Sequence, residues 1–486
     1  MNTQRATHLF QSDAALAIGQ ERAAKAARTA QGEEYGHPIW LGVGPSPLPS
    51  EDRDASDAPS SAPRDFASLA ERAAGADGGL TKVIAATMPR PDQPQVWTAE
   101  SGRMARHTHL ESGDAMHQLK GHGGPVSGVA SLVVSRSRTL LFTASWDKHI
   151  RIWAIGQHAK PSPLATIEHA GTDLLKSLHV DPMHRILLSG GSDKMVRVWD
   201  LGPLMTWAQS LSDADWPYSV TTPAPLPSLR ATLRAHTRPV VVLTSLPPAP
   251  SDAILPDVPT SCTFFSADSM GRILQVSVEE NRCEVLRELN GHETNIHAMC
   301  PVWRETEDGR YTADIWTVSS DKTVRRFPLS AWARGPVLPG RVSQAGGVLG
   351  TQPAVYADVQ LILPSGARSV LPLEPLHASL RDQVLIGAAD GSLQVWHLSA
   401  PSHALHALDG HWHEVTFLGV WYRHQAPWIV SCSLDGTIRR WPLTRVLEPA
   451  STPSAPPATT STSMLTAEEE AELADLLSSD DDDITV

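Results

Sequence analysis

One phrase returns five times along this 486-residue chain: TASWDKHIRIW at 143–153, SGGSDKMVRVWD at 189–200, TVSSDKTVRRF at 317–327, IGAADGSLQVW at 386–396 and SCSLDGTIRRW at 431–441. Each copy reads as a strand, a tight turn carrying Asp, and a second strand ending in an aromatic residue. The runs LLFTAS, RILLSG, HIRIW and MVRVW alternate in character, as a sheet with two different faces requires. Four copies have a His 24 to 29 residues before the turn Asp, giving the pairs His122/Asp147, His169/Asp193, His292/Asp321 and His411/Asp435. A unit this small cannot bury its apolar faces alone. The chain must stack its copies against one another, and the repeat dictates an all-β assembly of modules.

The pattern resembles the WD40 family, in which each repeat builds a four-stranded blade of a β-propeller. Trp199-Asp200 supplies the eponymous dipeptide. The resemblance implies hydrogen-bonded structural tetrads made by His122, Thr143, Asp147 and Trp153; by His169, Ser189, Asp193 and Trp199; and by His411, Ser431, Asp435 and Trp441. A buried Asp needs donors, and the His and hydroxyl supply them. Three further blades are degenerate. At 265–276 Met270 takes the Asp position and Val276 the Trp position, with Ala235-His236 retained upstream. At 97–108 Gly102 and Thr108 stand in those places. The copy at 386–396 keeps Asp390 and Trp396, but the loop before it, 363–370, has no His. The fold expected is a single seven-bladed WD40 propeller over 78–445, flanked by an N-terminal extension (1–77) and a C-terminal tail (446–486). Trp441 is followed by no convincing fourth strand, so HPIWLGV at 37–43 is the piece available to close the ring.

The four cysteines, Cys262, Cys283, Cys300 and Cys432, show no C-x-x-C spacing. That excludes a zinc ribbon and favours a reduced, intracellular setting, nucleus or cytoplasm. There is no apolar run of membrane-spanning length and no secretory signal. Residues 13–30 read as an Ala-rich helix, and 44–65 as a linker. The formal net charge is −13. Nine acids and no Lys or Arg fall after residue 450, so the rest of the chain carries only about −4 and offers no basic stripe of nucleic-acid-binding density.

Insertions follow first or third strands, at 201–228, 243–262, 301–312 and 330–356, which a propeller places on one face. Within the first, Trp207, Trp216 and Tyr218 either anchor a partner protein or fold back over a blade edge. The opposite face offers Trp146, beside a turn Asp, with Trp412, His413 and Glu414 from the last inbound loop and Arg238 from another. An exposed Trp beside Arg and His suits peptide recognition. In the tail, Thr466 and Glu469 form a capping box ahead of an apolar stripe of Leu473, Leu476 and Leu477. Ser478 and Ser479 precede Asp480–Asp483 and resemble acidophilic phosphorylation sites.

No catalytic constellation is present: no G-x-S-x-G, no H-E-x-x-H, no phosphate-cradling loop. The expectation is a non-catalytic scaffold for protein–protein interactions in an intracellular complex, with no cofactor and no metal. Its partners would be other proteins, without a membrane and without direct nucleic-acid contact, the propeller itself being a monomer. Alternatives are a subunit of a ribosome-assembly or RNA-modification complex, or a ubiquitin-ligase substrate adaptor. The adaptor form carries Trp-Asp-x-Arg, and here Trp199-Asp200 is followed by Leu201-Gly202.

Overall fold

Strands whose side chains alternate between two faces need a neighbour on each face, and seven sheets arranged in a ring provide both. The computed structural model describes residues 22, 25, 36–41, 81–156, 161–213, 216, 223–248, 262–306, 311–329 and 354–448. Residues Met1–Leu447 form one unit and Glu448–Val486 a second.

Strands are lettered a to d from the centre outward. Blade 1 comprises Val83–Thr87, Gln95–Glu100, Met104–His109 and Ala115–Lys120. Blade 2 comprises Val126–Val133, Arg138–Ser145, Ile150–Gly156 and Ser162–Ile167. Blade 3 comprises Leu175–Asp181, Ile186–Gly191, Val196–Asp200 and Ser228–Leu233. Blade 4 comprises Val240–Ser245, Cys262–Asp268, Ile273–Glu279 and Arg282–Asn290. Blade 5 comprises Ile296–Glu305, Tyr311–Ser319, Thr323–Pro328 and Val359–Ile362. Blade 6 comprises Ala367–Pro372, Gln383–Ala388, Ser392–His397 and His406–Asp409. Blade 7 takes strands a to c from Val415–Arg423, Ala426–Ser433 and Thr437–Pro442, and its strand d is His37–Trp40.

Apolar packing lies between blades. Each of seven buried clusters among the described residues joins two neighbours. Trp97 and Val96 exemplify the sharing: Trp97 packs with Val129, Leu141 and Trp153 of blade 2, whereas Val96 faces Trp421 and Val430 of blade 7. All seven a-strands carry a register shift near their first residues, at positions such as Val83/Ala85, Val126/Gly128 and Val415/Phe417. A bulge adds local twist, and its repetition bends every inner strand in the same way.

The seam between blades 7 and 1 is heavily tied. Ile39, 1 % exposed, packs with Trp421 and Ile438. The Arg440 guanidinium donates to the carbonyls of His37, Pro38 and Leu110. Arg423 pairs with Glu111 at 2.6 Å, and Thr416 Oγ1 donates to the Val83 carbonyl at 3.0 Å.

Among the described residues, parts of the inserted segments adopt regular structure. Residues 201–228 contain helix α1 (Gly202–Ser210), with Pro203 in its first turn. The 301–312 insertion lengthens the a and b strands of blade 5 into a tall hairpin: Pro301↔Ile315 through Glu305↔Tyr311 are paired. Ala354–Tyr356 adds a fifth, parallel strand to the outer edge of blade 4. After Trp441 the chain turns into the short helix α2 (Leu443–Leu447), whose Leu443 and Val446 are buried.

Candidate recognition surface

At the upper end of the ring the loops from strand d lead into the next strand a, beside the turns from strand b to strand c. Polar networks fix those loops. In blade 2, His122 Nδ1 lies 2.9 Å from Asp147 Oδ2 and His122 Nε2 lies 2.8 Å from Thr143 Oγ1, to which the Trp153 indole donates at 3.0 Å. One tautomer satisfies the set: Nδ1–H donates to the carboxylate, Nε2 accepts from the hydroxyl, and the hydroxyl accepts from the indole. Blade 7 repeats it with His411, Asp435, Ser431 and Trp441 at 2.9, 2.8 and 2.9 Å. Blade 5 joins His292, Asp321 and Thr317, and ends on Phe327, which has no donor. Burial pushes the His122 and His411 imidazoles below their ordinary range. Burial also works against the charges on Asp147 and Asp435, but hydrogen bonds and neighbouring His outweigh it and hold both carboxyls low.

Blade 3 departs from the expected tetrad. Asp193 is held not by His169 but by the Thr172 amide at 3.0 Å and by Arg197 at 2.7 Å. The reason is register. Elsewhere the amide that binds the Asp immediately follows the His, as in His122-Gly123 and His411-Trp412; before Thr172 stands Gly171, and His169 lies two residues early. It is exposed, with positive φ, its ring 5.6 Å from that of His149. Trp199 still donates to Ser189 at 2.9 Å.

Three degenerate blades carry substitutes that spacing concealed. In blade 4 the acid is Asp268, two residues after Ser266, where other blades have it four residues on. His236 bridges Asp268 at 3.1 Å and Ser266 at 2.8 Å, and Met270 contributes only its amide. Blade 1 uses the same short step. Glu100, two residues after Thr98, is fully buried and bidentate with Arg106 at 2.7 and 3.1 Å. Blade 6, with Ile386 in the hydroxyl position, runs a line of bonds from Asp390 through Ser392 and Gln394 to Trp396. Lys25 of the N-terminal extension donates to the Asp390 carbonyl at 2.8 Å and pairs with Asp409 at 2.9 Å. Arg22 and Lys25 are helical; the rest of the 13–30 expectation lies outside the described residues.

Of the expected upper-face candidates, Trp146 is 43 % exposed and Arg238 is exposed. Trp412 is not available: its amide is drawn down to Asp435 and the residue is 3 % exposed. His413 is half-buried, burial lowering its imidazole, and Glu414 pairs with Arg368 at 2.7 Å. The insertion aromatics fold back. Trp216 is 4 % exposed, donates to the Ile155 carbonyl at 3.0 Å and lies under Arg138; Trp207 is half-buried beside it. Tyr218, Leu473, Leu476, Leu477, Ser478 and Ser479 lie outside the described residues.

The structure also brings together a set of residues that the linear sequence disperses. The chain has eight lysines, and the seven described all stand at the upper end. Lys82 and Lys176 flank the starts of a-strands, Lys120 ends a d-strand, and Lys148, Lys194 and Lys322 occupy b–c turns with positive φ; Lys25 meets blade 6. Hydrogen bonds join the sector over blades 2 and 3: Arg151 donates to the Gly121 carbonyl at 2.7 Å, Trp146 N to the Pro125 carbonyl at 3.1 Å, and Lys148 to the Thr172 carbonyl at 3.1 Å.

At the lower end a cavity of about 630 Å3 opens among Trp303, Pro301, Leu371, Leu376, Glu374 and Arg381. Burial raises the Glu374 carboxyl. Among the described residues one group has metal-ligating composition: Asp181, His184 and Cys262, with donor atoms within 4.8 Å of one another. Asp181 already accepts from the amides of Met183 and His184 and from the His184 ring, so its carboxylate serves the turn. All four cysteines are free thiols, and no described helix is long and apolar enough to cross a membrane.

Comparison with known proteins agrees with this geometry. The family described as WD domain, G-beta repeat matches residues 113–154, 161–200 and 402–442, each taking in strand d of one blade and strands a to c of the next: blades 1 and 2, 2 and 3, and 6 and 7. An uncharacterized WD repeat-containing protein of Schizosaccharomyces pombe (strain 972 / ATCC 24843) is 24 % identical over 394 residues, spanning 80 % of this chain and 87 % of that protein. Mitochondrial division protein 1 of Mycosarcoma maydis is 32 % identical over 97 residues, 20 % of this chain and 11 % of that protein. With seven four-stranded blades, polar networks at the repeated His and Asp positions, and family matches across the best-preserved copies, the chain is a WD40-repeat protein folded as a seven-bladed β-propeller.

Proposed function

We propose that this protein is a non-catalytic scaffold that holds protein partners on the upper face of its ring, within an intracellular complex. The observation that carries the reading is Trp146, a large aromatic left 43 % exposed on a turn whose backbone is otherwise fixed on every side. Ser145 donates to the Gly124 carbonyl, Trp146 N to the Pro125 carbonyl, and Asp147 is clamped by His122. A rigid loop presenting one aromatic loses little entropy when a partner covers it, which is how interface anchors act. The inbound loops and turns of seven blades bring residues from distant parts of the chain to that end.

The test is quantitative affinity purification of the intact chain, Trp146→Ala, and Leu229→Ala as a control on an exposed outer strand. Stoichiometric partners should survive Leu229→Ala and be depleted severalfold by Trp146→Ala. Partners retained equally by all three forms would remove the upper face from the account.

A further inference from the structure

Resting on that reading, we infer that the upper face over blades 1 to 4 recognises an acidic segment of its partner. The whole chain is negative at −13, so a basic surface here is not a consequence of composition. It arises from placement. Lysines separated by tens of residues recur at one end of their blades, and the arginines Arg103, Arg234 and Arg238 add to them in the same turns and inbound loops.

Over blades 1 to 4 exposed cations outnumber exposed acids. Arg103, Lys120, Lys194, Arg234 and Arg238 are all exposed, and none makes an ion pair with a described residue. The half-buried turn carboxylates are already matched by other partners. Asp193 is matched by Arg197, and Asp147 is enclosed by His122 and loop amides. The exposed acids over blades 1 to 4 are Glu168, Asp173 and, on the loop leaving blade 4, Glu293. Free cations around an exposed indole fit a peptide that alternates carboxylates with one apolar or aromatic residue: the carboxylates steer and register it, and the apolar side chain covers Trp146. A nucleic-acid strand fits less well. Among the described residues the sector offers one exposed Trp, Tyr or Phe where strand binding wants a series of stacking platforms, and the net negative chain opposes a long polyanion.

The experiment is fluorescence anisotropy with three labelled probes: a twelve-residue peptide of Glu interleaved with Leu and Phe, the same peptide with Gln for Glu, and a twenty-nucleotide oligothymidylate. It uses the intact chain and a chain whose nine tail acids are replaced by Gln and Asn, so that these acids do not compete. The acidic peptide should bind, and weaken by about tenfold between 50 and 300 mM NaCl. The Lys194→Glu/Arg238→Glu pair should weaken it by about tenfold or more, and a Lys194→Arg/Arg238→Lys pair should retain it. Equal binding of the Glu and Gln peptides, both lost in Trp146→Ala, would overturn the acidic preference while leaving protein recognition at this face standing. No binding of the Glu peptide, or no effect of charge reversal, would also overturn it. Tighter binding of oligothymidylate than of the acidic peptide would overturn it in favour of nucleic acid.

Discussion

At the scale of single residues the two complete tetrads are relays in which no member can be removed singly. In blade 7, Asp435 accepts from His411, Thr437 and the Trp412 amide, all in a region closed to water. Replacing it by Ala leaves several buried donors without an acceptor. Asp435→Ala should therefore cost about 3 kcal/mol of unfolding free energy. His122→Ala and His411→Ala should each cost about 2 kcal/mol or more for the same reason. His169→Ala should stay within about 0.5 kcal/mol, because that side chain sits at the surface away from Asp193. Urea unfolding of the three His variants checks this, and a large loss in His169→Ala would show that blade 3 uses its His after all. The networks of blades 2 and 7 were readable from acid and aromatic four and ten positions after the hydroxyl residue; blade 3 keeps that spacing at Ser189, Asp193 and Trp199, but its loop puts Gly171 where the His should stand. Asp268 and Glu100 escaped that reading because each sits two positions on, at the strand's last residue, and reaches the same space from there. Trp412 was misread for a different reason. Whether a loop aromatic points in or out depends on what its own backbone is tied to, and no local pattern reports that.

At the scale of elements, the ring depends on a strand contributed from the far end of the sequence. His37–Trp40 pairs antiparallel with Thr437–Pro442, from His37↔Arg440 to Trp40↔Thr437. Gly36 has φ +75 and lies flat against Trp441: an added Cβ would stand 2.7 Å from the indole. Ile39→Ala should cost about 3 kcal/mol, since the side chain is enclosed between blades 7 and 1. Gly36→Ala should destabilise as well, by about 1–2 kcal/mol, from both the backbone conformation and the clash. Thermal unfolding reads both, and unchanged midpoints would mean that the seam is held without this strand. The sequence made strand character at 37–43 visible through its apolar run. It could not reveal the parallel strand Ala354–Tyr356 or the tall hairpin of blade 5, whose residues carry no repeat signature; their pairing is decided by the edges they meet.

At the scale of the whole molecule, two properties emerge from the arrangement of groups that look ordinary one at a time. The first is acid sensitivity. Burial lowers the imidazoles of His179 and His297 to about 4 and that of His107 to about 3, with Arg368 assisting at His297 and His117 at His107. His122 and His411 move the same way. A folded pKa below the unfolded value of about 6.5 means the unfolded chain binds more protons, so stability falls as pH drops from there towards 4. The depressed carboxyls of Asp147, Asp193, Asp268, Asp390 and Asp435 add a second loss below about pH 4. The melting temperature should decline steadily from pH 6.5 to 4.5, and a flat profile across that window would contradict the neutral, buried state of these His residues.

The second property is the polarity of the ring, with seven described lysines at one end of a negatively charged chain. Lysines scattered between 25 and 322 show no stripe along the sequence; only the phase of each within its blade aligns them. That alignment also supplies the most direct test of the recognition account. Lysine acetylation footprinting of the purified native complex, against the isolated chain, should show Lys120, Lys148 and Lys194 severalfold protected when the partner is bound. Labelling of those three at equal rates in both states would contradict the claim that this face holds the partner.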